Sequence, residues 1–206
     1  MPLFLHKQVS EDTVLAIWKI TEHSNELLEL ISEHFYELET RKENKHWLAS
    51  RALINYLFPD KKTTLFKDEF NKPFLKIEGI DYHISITHSF QFASILVSKT
   101  KTVAIDMEKI DERIQRVKHK FMREDEMDYL QSDEASKMLV TIWSAKETLY
   151  KFYGKKELDF KLHLKIEAFK FESKFELVGQ ISKDNLKQKF TIKVEEIEGY
   201  VLTYIS

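Results

Sequence analysis

At 206 residues, 43% of them hydrophobic and 32% charged with both signs interspersed, the chain can build a real core and is long enough for one large domain or two small ones. A net charge of −2 excludes a globally basic nucleic-acid surface, so any basic patch must be local. The absence of cysteine excludes disulfides, thiolate metal sites and cysteine nucleophiles.

The opening Met1-Pro-Leu-Phe-Leu-His-Lys lacks a charged region followed by a long apolar run, so no signal peptide is expected. No apolar stretch reaches bilayer-spanning length, and a cytoplasmic location is expected. Residues 3–8 and 13–20 read as strands. In the second, Val14, Ala16 and Trp18 alternate with Leu15, Ile17 and Lys19, which suits cover on both faces. A helix over 24–34, capped by Thr21 or Ser24, carries Leu27, Leu28 and Ile31 at helical spacing. A stronger helix over 43–58 has Trp47, Leu48, Ile54, Tyr56, Leu57 and Phe58 on its apolar side and stops at Pro59-Asp60.

Strand signals follow at Thr63–Phe66, Pro73–Ile77, Tyr82–Thr87, Phe92–Ser98 and Thr102–Met107, the last two joined by Lys99-Thr100-Lys101 as a hairpin. Helical patterns cover 111–120, 123–131 and 133–153. Strand patterns return at 162–171, 174–181, 188–195 and 200–205. This order predicts an α+β fold. The midpoint near Lys99–Thr102 divides it into an N-terminal half, 1–101, and a C-terminal half, 102–206.

On the strand Thr102–Met107 and its continuation, Asp106 and Glu108 leave the same face, while Val103, Ile105 and Met107 share the other and would turn it to the core. Adjacent carboxylates repel unless a cation sits between them, and oxygen-only donors suit Mg²⁺. Two solvated acids at a strand end are the simpler alternative. The helix over 133–153, capped by Ser132 or Asp133 and ending at Gly154, has one apolar stripe through Met138, Leu139, Ile142, Leu149 and Phe152. Trp143, Lys146, Glu147 and Lys151 form a second. In isolation that second stripe is explained by a Glu147–Lys151 salt bridge and a core Trp143.

Four segments taken together carry a family resemblance. Val103-Ala104-Ile105-Asp106-Met107-Glu108 is followed by Trp143-Ser144-Ala145-Lys146-Glu147-Thr148, Lys151 and Gly154. Upstream stand Asn71-Lys72-Pro73-Phe74 and Ile84-Ser85-Ile86-Thr87-His88-Ser89. In order and spacing they resemble the 4′-phosphopantetheinyl transferases, and the chain length resembles the larger single-chain type. The resemblance implies two similar α+β half-domains related by a pseudo-twofold, with coenzyme A in the cleft between them. Ala104 and Asn71 stand where glycine is usual, and Thr87 where serine is usual.

The resemblance further implies transfer of phosphopantetheine from coenzyme A to a carrier-protein serine, releasing adenosine 3′,5′-bisphosphate. Asp106, Glu108 and Glu147 would ligate Mg²⁺ (or Mn²⁺). Glu147 would take the serine proton, and Lys151 would reach the transferring phosphate. Lys146 is a weaker phosphate contact because it lies about 100° round the helix from Glu147. His88, just past a strand, would meet the 3′-phosphate, and Lys72 the phosphates or adenine. Lys45 and Arg51, in a basic group with Arg41, Lys42 and His46, are candidates for the nucleotide end. The basic run Arg113, Arg116, Lys118, His119, Lys120 and Arg123 would face an acidic apo carrier protein. No nucleic-acid or membrane partner is expected, and by analogy a fused pair of halves is a monomer.

Three alternatives remain open at the level of sequence. A metal-dependent nuclease would want a lysine two residues after the glutamate, whereas Lys109 is adjacent to Glu108 and points away. A serine hydrolase would want a G-x-S-x-G elbow, which is absent. A coenzyme- or carrier-binding module that had lost catalysis would not need Asp106, Glu108, Glu147 and Lys151 together.

Overall fold

The computed structural model describes residues 3–31, 43–130 and 134–206. The fold is α+β, built on two antiparallel sheets. The chain separates into two compact units, the first ending at Val103 and joined by Ser206, the second running Ala104–Ile205.

The first unit holds strands β1 (Leu3–Ser10), β2 (Thr13–Lys19), β3 (Thr63–Lys67), β4 (Pro73–Ile77), β5 (Ile80–Ser89) and β6 (Phe92–Ser98), in the sheet order β1-β2-β6-β5-β4-β3. Helices α1 (Ser24–Glu29) and α2 (Lys45–Leu57) accompany it. The register Val14↔Val97↔Ile84 and Ala16↔Ile95↔Ile86 puts one apolar residue from each strand on a common face. Trp47, Leu48, Leu53 and Ile54 of α2 close that face into a core with Ala16, Trp18, Ile84, Ile95 and Val97. Asn44 caps α2, its side chain accepting from Trp47 N–H at 3.0 Å. The expected cap of α1 at Thr21 or Ser24 falls instead on His23, whose N–H donates to Glu26 Oε2. Residues 32–34 of that expected helix, and Arg41 and Lys42, lie outside the described residues.

The second unit holds β7 (Ala104–Lys109), β8 (Leu164–Ile166), β9 (Lys174–Lys183), β10 (Leu186–Ile197) and β11 (Tyr200–Ile205), ordered β7-β11-β10-β9-β8. The short helices α3 (Ile114–Val117) and α4 (Glu124–Met127) flank a 3₁₀ turn at Lys118–Lys120, and they precede the long α5 (Ala135–Tyr153). Met138, Leu139, Ile142, Ala145 and Leu149 of α5 pack on Ile166, Leu177, Ile181, Ile192, Val194 and Val201. At Gly179 the sheet is bare, and a Cβ there would stand 2.9 Å from Leu149 Cδ1 and 2.8 Å from Ile192 Cδ1. The missing side chain lets α5 settle close to β9. Gly154 ends α5 at φ 71°, its N–H donating to the Tyr150 carbonyl. The expected caps Ser132 and Asp133 lie outside the described residues.

Three expectations are corrected. Phe92–Ser98 and the carboxylate strand do not form a hairpin: β6 pairs with β2 and β5, and β7 pairs with β11 in the other sheet. Lys99-Thr100-Lys101 has no glycine or asparagine to make a two-residue hairpin turn. It is tied back to the β1–β2 turn, through Lys99 N–H on the Asp12 carbonyl and the Thr100 hydroxyl on the Asp12 carboxylate. The strand over 162–171 shrinks to Leu164–Ile166, because Asp159 Oδ1 accepts the N–H groups of Lys161 and Leu162 and turns the chain there. The helices over 111–120 and 123–131 break into single turns, with Phe121 and Met122 N–H both folding onto the Lys118 carbonyl.

Candidate active site

The site is assembled where α5 crosses β7. The face of β7 that carries Asp106 and Glu108 is the one α5 packs on, since Asp106 lies directly opposite Thr203 and Val201 lies opposite Glu108. Ser144 and Thr148 of α5 meet the Thr203 hydroxyl at 2.9 and 2.7 Å, all three fully buried. These short polar side chains bring the helix close to the sheet and fix its rotation. One step round the helix from them stand Trp143, Glu147 and Lys151, and these run along β7 in the opposite direction to the strand. Trp143 Nε1 donates to Glu108 Oε1 at 3.0 Å. Lys151 Nζ donates to Asp106 Oδ1 at 2.8 Å and to the Ile105 carbonyl at 3.1 Å. Glu147 sits midway, one turn from each.

The expectation that Met107's face would be the core-facing one needs amending. Asp106 is itself buried at 4% exposure, and Ile105 and Met107 are fully buried as well, so β7 is covered on both faces. The Glu147–Lys151 salt bridge expected of an isolated helix is replaced by the Lys151–Asp106 pair. Trp143 is more than a core residue, because its indole orients a carboxylate.

Electrostatics single out Glu147. Burial, then the charge on Asp106, push its carboxyl up to about 7; Lys151 opposes this and Glu108 adds to it. The three acids therefore act on one another. Among the described residues no three His, Asp or Glu side chains stand as a ready-made cation cage. The donor set nonetheless fits a hard divalent cation. It consists of oxygens only, it is mutually repulsive, and Mg²⁺ commonly takes one or two carboxylates and completes its shell with substrate phosphate and water.

Lys146 is corrected outright. It is fully buried, and its ammonium donates to Glu126 Oε2 at 2.7 Å, the Phe121 carbonyl at 2.7 Å and the Phe160 carbonyl at 3.0 Å. An ammonium has three donors, so none remains for a phosphate. Burial pulls its pKa down and Glu126 holds it up. Glu126, equally buried, also accepts from Ile166 N–H and Arg123 N–H. This satisfied pair ties α4, α5, β8 and the Phe160 turn together beneath Trp143, whose ring stacks on Phe160 at 5.3 Å between centroids. The sequence signals Glu126 only as a glutamate in the first turn of a helix, with nothing to name a partner twenty positions on.

In the first unit, His88 lies inside β5 rather than just past it, exposed and on the face that α2 covers. Lys72 is elsewhere: burial lowers its pKa, and burial and then the Lys72 charge lower that of His83, whose strand pairing puts it with Phe74 on the opposite face. Asn71 accounts for the missing glycine, for it adopts φ 68° in the β3–β4 turn, a conformation asparagine tolerates better than most residues. Asp68 Oδ1 organises that turn by accepting the N–H groups of Phe70 and Lys72. Arg51, 9% exposed, lies over the Trp47 ring at 4.2 Å and donates to Ser50 Oγ. Lys45 is exposed and donates to the Glu22 carbonyl at 2.8 Å. Arg113 is held by both oxygens of Asp111, with its Nη2 at 2.7 Å. No helix among the described residues is long and apolar enough to cross a membrane.

Residues 102–205 match the model of the 4′-phosphopantetheinyl transferase superfamily, and the match covers β7, α5 and every strand of the second sheet. No curated protein matches the chain. With half its length on that model, from the strand of Asp106 and Glu108 to the last strand, the chain belongs to the 4′-phosphopantetheinyl transferase superfamily.

Proposed function

We propose that the protein is a holo-carrier-protein synthase. It transfers 4′-phosphopantetheine from coenzyme A to a serine of an acyl or peptidyl carrier protein and releases adenosine 3′,5′-bisphosphate. The observation that carries this reading is the convergence of Asp106, Glu108, Glu147 and Lys151 at the α5–β7 crossing, within the stretch that matches the family. A pseudo-twofold relation between the units and the larger single-chain type belong to the same proposal.

In this reading Asp106, Glu108 and Glu147 hold Mg²⁺ or Mn²⁺, which when bound offsets charge on the coenzyme's pyrophosphate. The serine oxygen attacks the phosphorus that carries the pantetheine arm, and the bond to the adenosine bisphosphate oxygen breaks. Positioning and charge neutralisation do most of the work in such a transfer. Glu147 would accept the serine proton, directly or through water; without a metal, burial and then the Asp106 charge hold its carboxyl up at about 7. The Lys151 ammonium, held between Asp106 and the Ile105 carbonyl, is pre-oriented to meet developing negative charge. Trp143 keeps the Glu108 carboxylate from rotating.

His88 is the proposed contact for the 3′-phosphate, with Arg51, Lys45 and Lys72 as further candidates for the nucleotide end. The segment from Arg113 to Arg123 is the proposed docking face for an acidic carrier. Within it Arg116, Lys118 and Lys120 would supply the positive charge, because Asp111 already neutralises Arg113. The test is to incubate the protein with coenzyme A, Mg²⁺ and apo carrier proteins and to measure the adenosine bisphosphate released. Release that depends on the carrier and stops with EDTA supports the reading. Tight coenzyme binding without release, across several carriers, would support a binding module instead.

A further inference from the structure

His88 does not stand alone. The His46 ring, from the first turn of α2, stacks on it with centroids 4.5 Å apart and only 9° between planes. His46 Nε2 also lies 2.5 Å from the Phe90 carbonyl oxygen. A carbonyl only accepts, so Nε2 carries the hydrogen and donates. One side chain thus grips the His88 ring by its face and the backbone two residues later by a hydrogen bond. Phe90 adopts φ 48°, in the left-handed region, which strains the backbone of a bulky residue. The His46 hydrogen bond helps hold that turn between β5 and β6. Stacking engages the face of the His88 ring, so its nitrogens, which lie in the ring plane, are aimed along the edge. The pair also sits at the positive end of the α2 dipole, beside Lys45.

We propose that His46 is a positioning residue that sets specificity for the 3′-phosphomonoester of coenzyme A. It fixes the plane and direction of the His88 imidazole, so that the site distinguishes coenzyme A from its 3′-dephospho form. This rests on the reading of His88 as the 3′-phosphate contact. A merely structural role for His46 would weaken both ligands alike, whereas a positioning role weakens only the one that carries the 3′-phosphate.

The test is the dissociation constant of each ligand, measured by calorimetry on the full chain, for the wild type, His46→Ala, His46→Phe and His88→Ala. His46→Ala should weaken coenzyme A binding about tenfold and leave 3′-dephospho-coenzyme A unchanged, collapsing the ratio between them. His46→Phe keeps an aromatic stack without the hydrogen bond and should fall between. If His88→Ala collapses the ratio and neither His46 variant does, the His46 proposal is overturned and the His88 reading stands. If His88→Ala leaves the ratio intact, or the wild type shows no preference, the His88 reading fails and takes this proposal with it. Equal weakening of both ligands by His46→Ala overturns the positioning role.

Discussion

Lys151 Nζ stands 2.8 Å from Asp106 Oδ1, so the last full turn of α5 is fastened to the middle of β7 by an ion pair that is mostly shielded from water. The same ammonium reaches the Ile105 carbonyl, which fixes its direction as well as its distance. A lysine so placed serves the fold and, in the proposed mechanism, the transferring phosphate.

Lys151→Met separates these roles. Removing one partner of a partly buried pair should lower stability by roughly 1–3 kcal/mol. Loss of a preorganised cation should lower kcat by about 100-fold or more, far beyond what a small unfolded fraction explains. Thermal denaturation and initial rates on the same preparation check both. A rate within threefold of wild type would remove Lys151 from the chemistry.

Glu147 predicts a pH dependence of stability with an unusual sign. Its folded-state pKa is raised to about 7 from an ordinary 4.5, so between those values the folded chain binds a proton that the unfolded chain has released. Stability from this group therefore falls as pH rises from about 4.5 to 7 and levels off above, by roughly 3 kcal/mol in total. Glu147→Gln should flatten that slope and raise the melting temperature at pH 8 in metal-free buffer. Mg²⁺ should restore the wild type at pH 8 and leave the Gln variant unmoved. A steeper slope in the variant would contradict the assignment.

The buried Lys146–Glu126 pair should behave as structure. Lys146→Met leaves Glu126 as an uncompensated buried charge, at a cost of about 3–5 kcal/mol. The variant should lose melting temperature sharply, while the fraction still folded at low temperature keeps a normal KM for coenzyme A. A raised KM with unchanged melting temperature would return Lys146 to the phosphate site.

Arg116→Glu with Lys120→Glu should raise KM for an acidic carrier severalfold and leave KM for coenzyme A unchanged, with the difference shrinking at high salt. Steady-state kinetics at two ionic strengths decide it. An unchanged carrier KM at low salt would move the docking face elsewhere.

What the sequence alone makes legible is set by the range of the interactions. Period-2 alternation and β-branched content located β2, β6, β9 and β11 closely, because each strand's pattern is local. The partner of β7 was not legible. A strand ending in Asp106 and Glu108 pairs equally well with a neighbour three residues upstream or with Tyr200–Ile205 far downstream, and only tertiary packing selects the latter. The site divides the same way. The two local periodicities put Asp106 with Glu108 and Glu147 with Lys151 on one face each, but alone they read as solvated acids and a salt bridge; the spacing of the four family-like segments is what singles these residues out. Lys146 misled because the same spacing rules cannot see Glu126, Phe121 and Phe160 closing around it. The Trp143–Glu108 hydrogen bond and the His46–His88 stack each join segments more than thirty residues apart, and no local pattern announces either.

The most direct test of the central claim is the intact mass of an apo carrier protein after incubation with coenzyme A, Mg²⁺ and either the wild type or Glu147→Ala. The account predicts that the wild type adds one phosphopantetheine mass to the carrier serine, and that both EDTA and Glu147→Ala abolish the addition. Full modification by Glu147→Ala, or none by the wild type across fatty-acid, polyketide and peptide carriers, would contradict it.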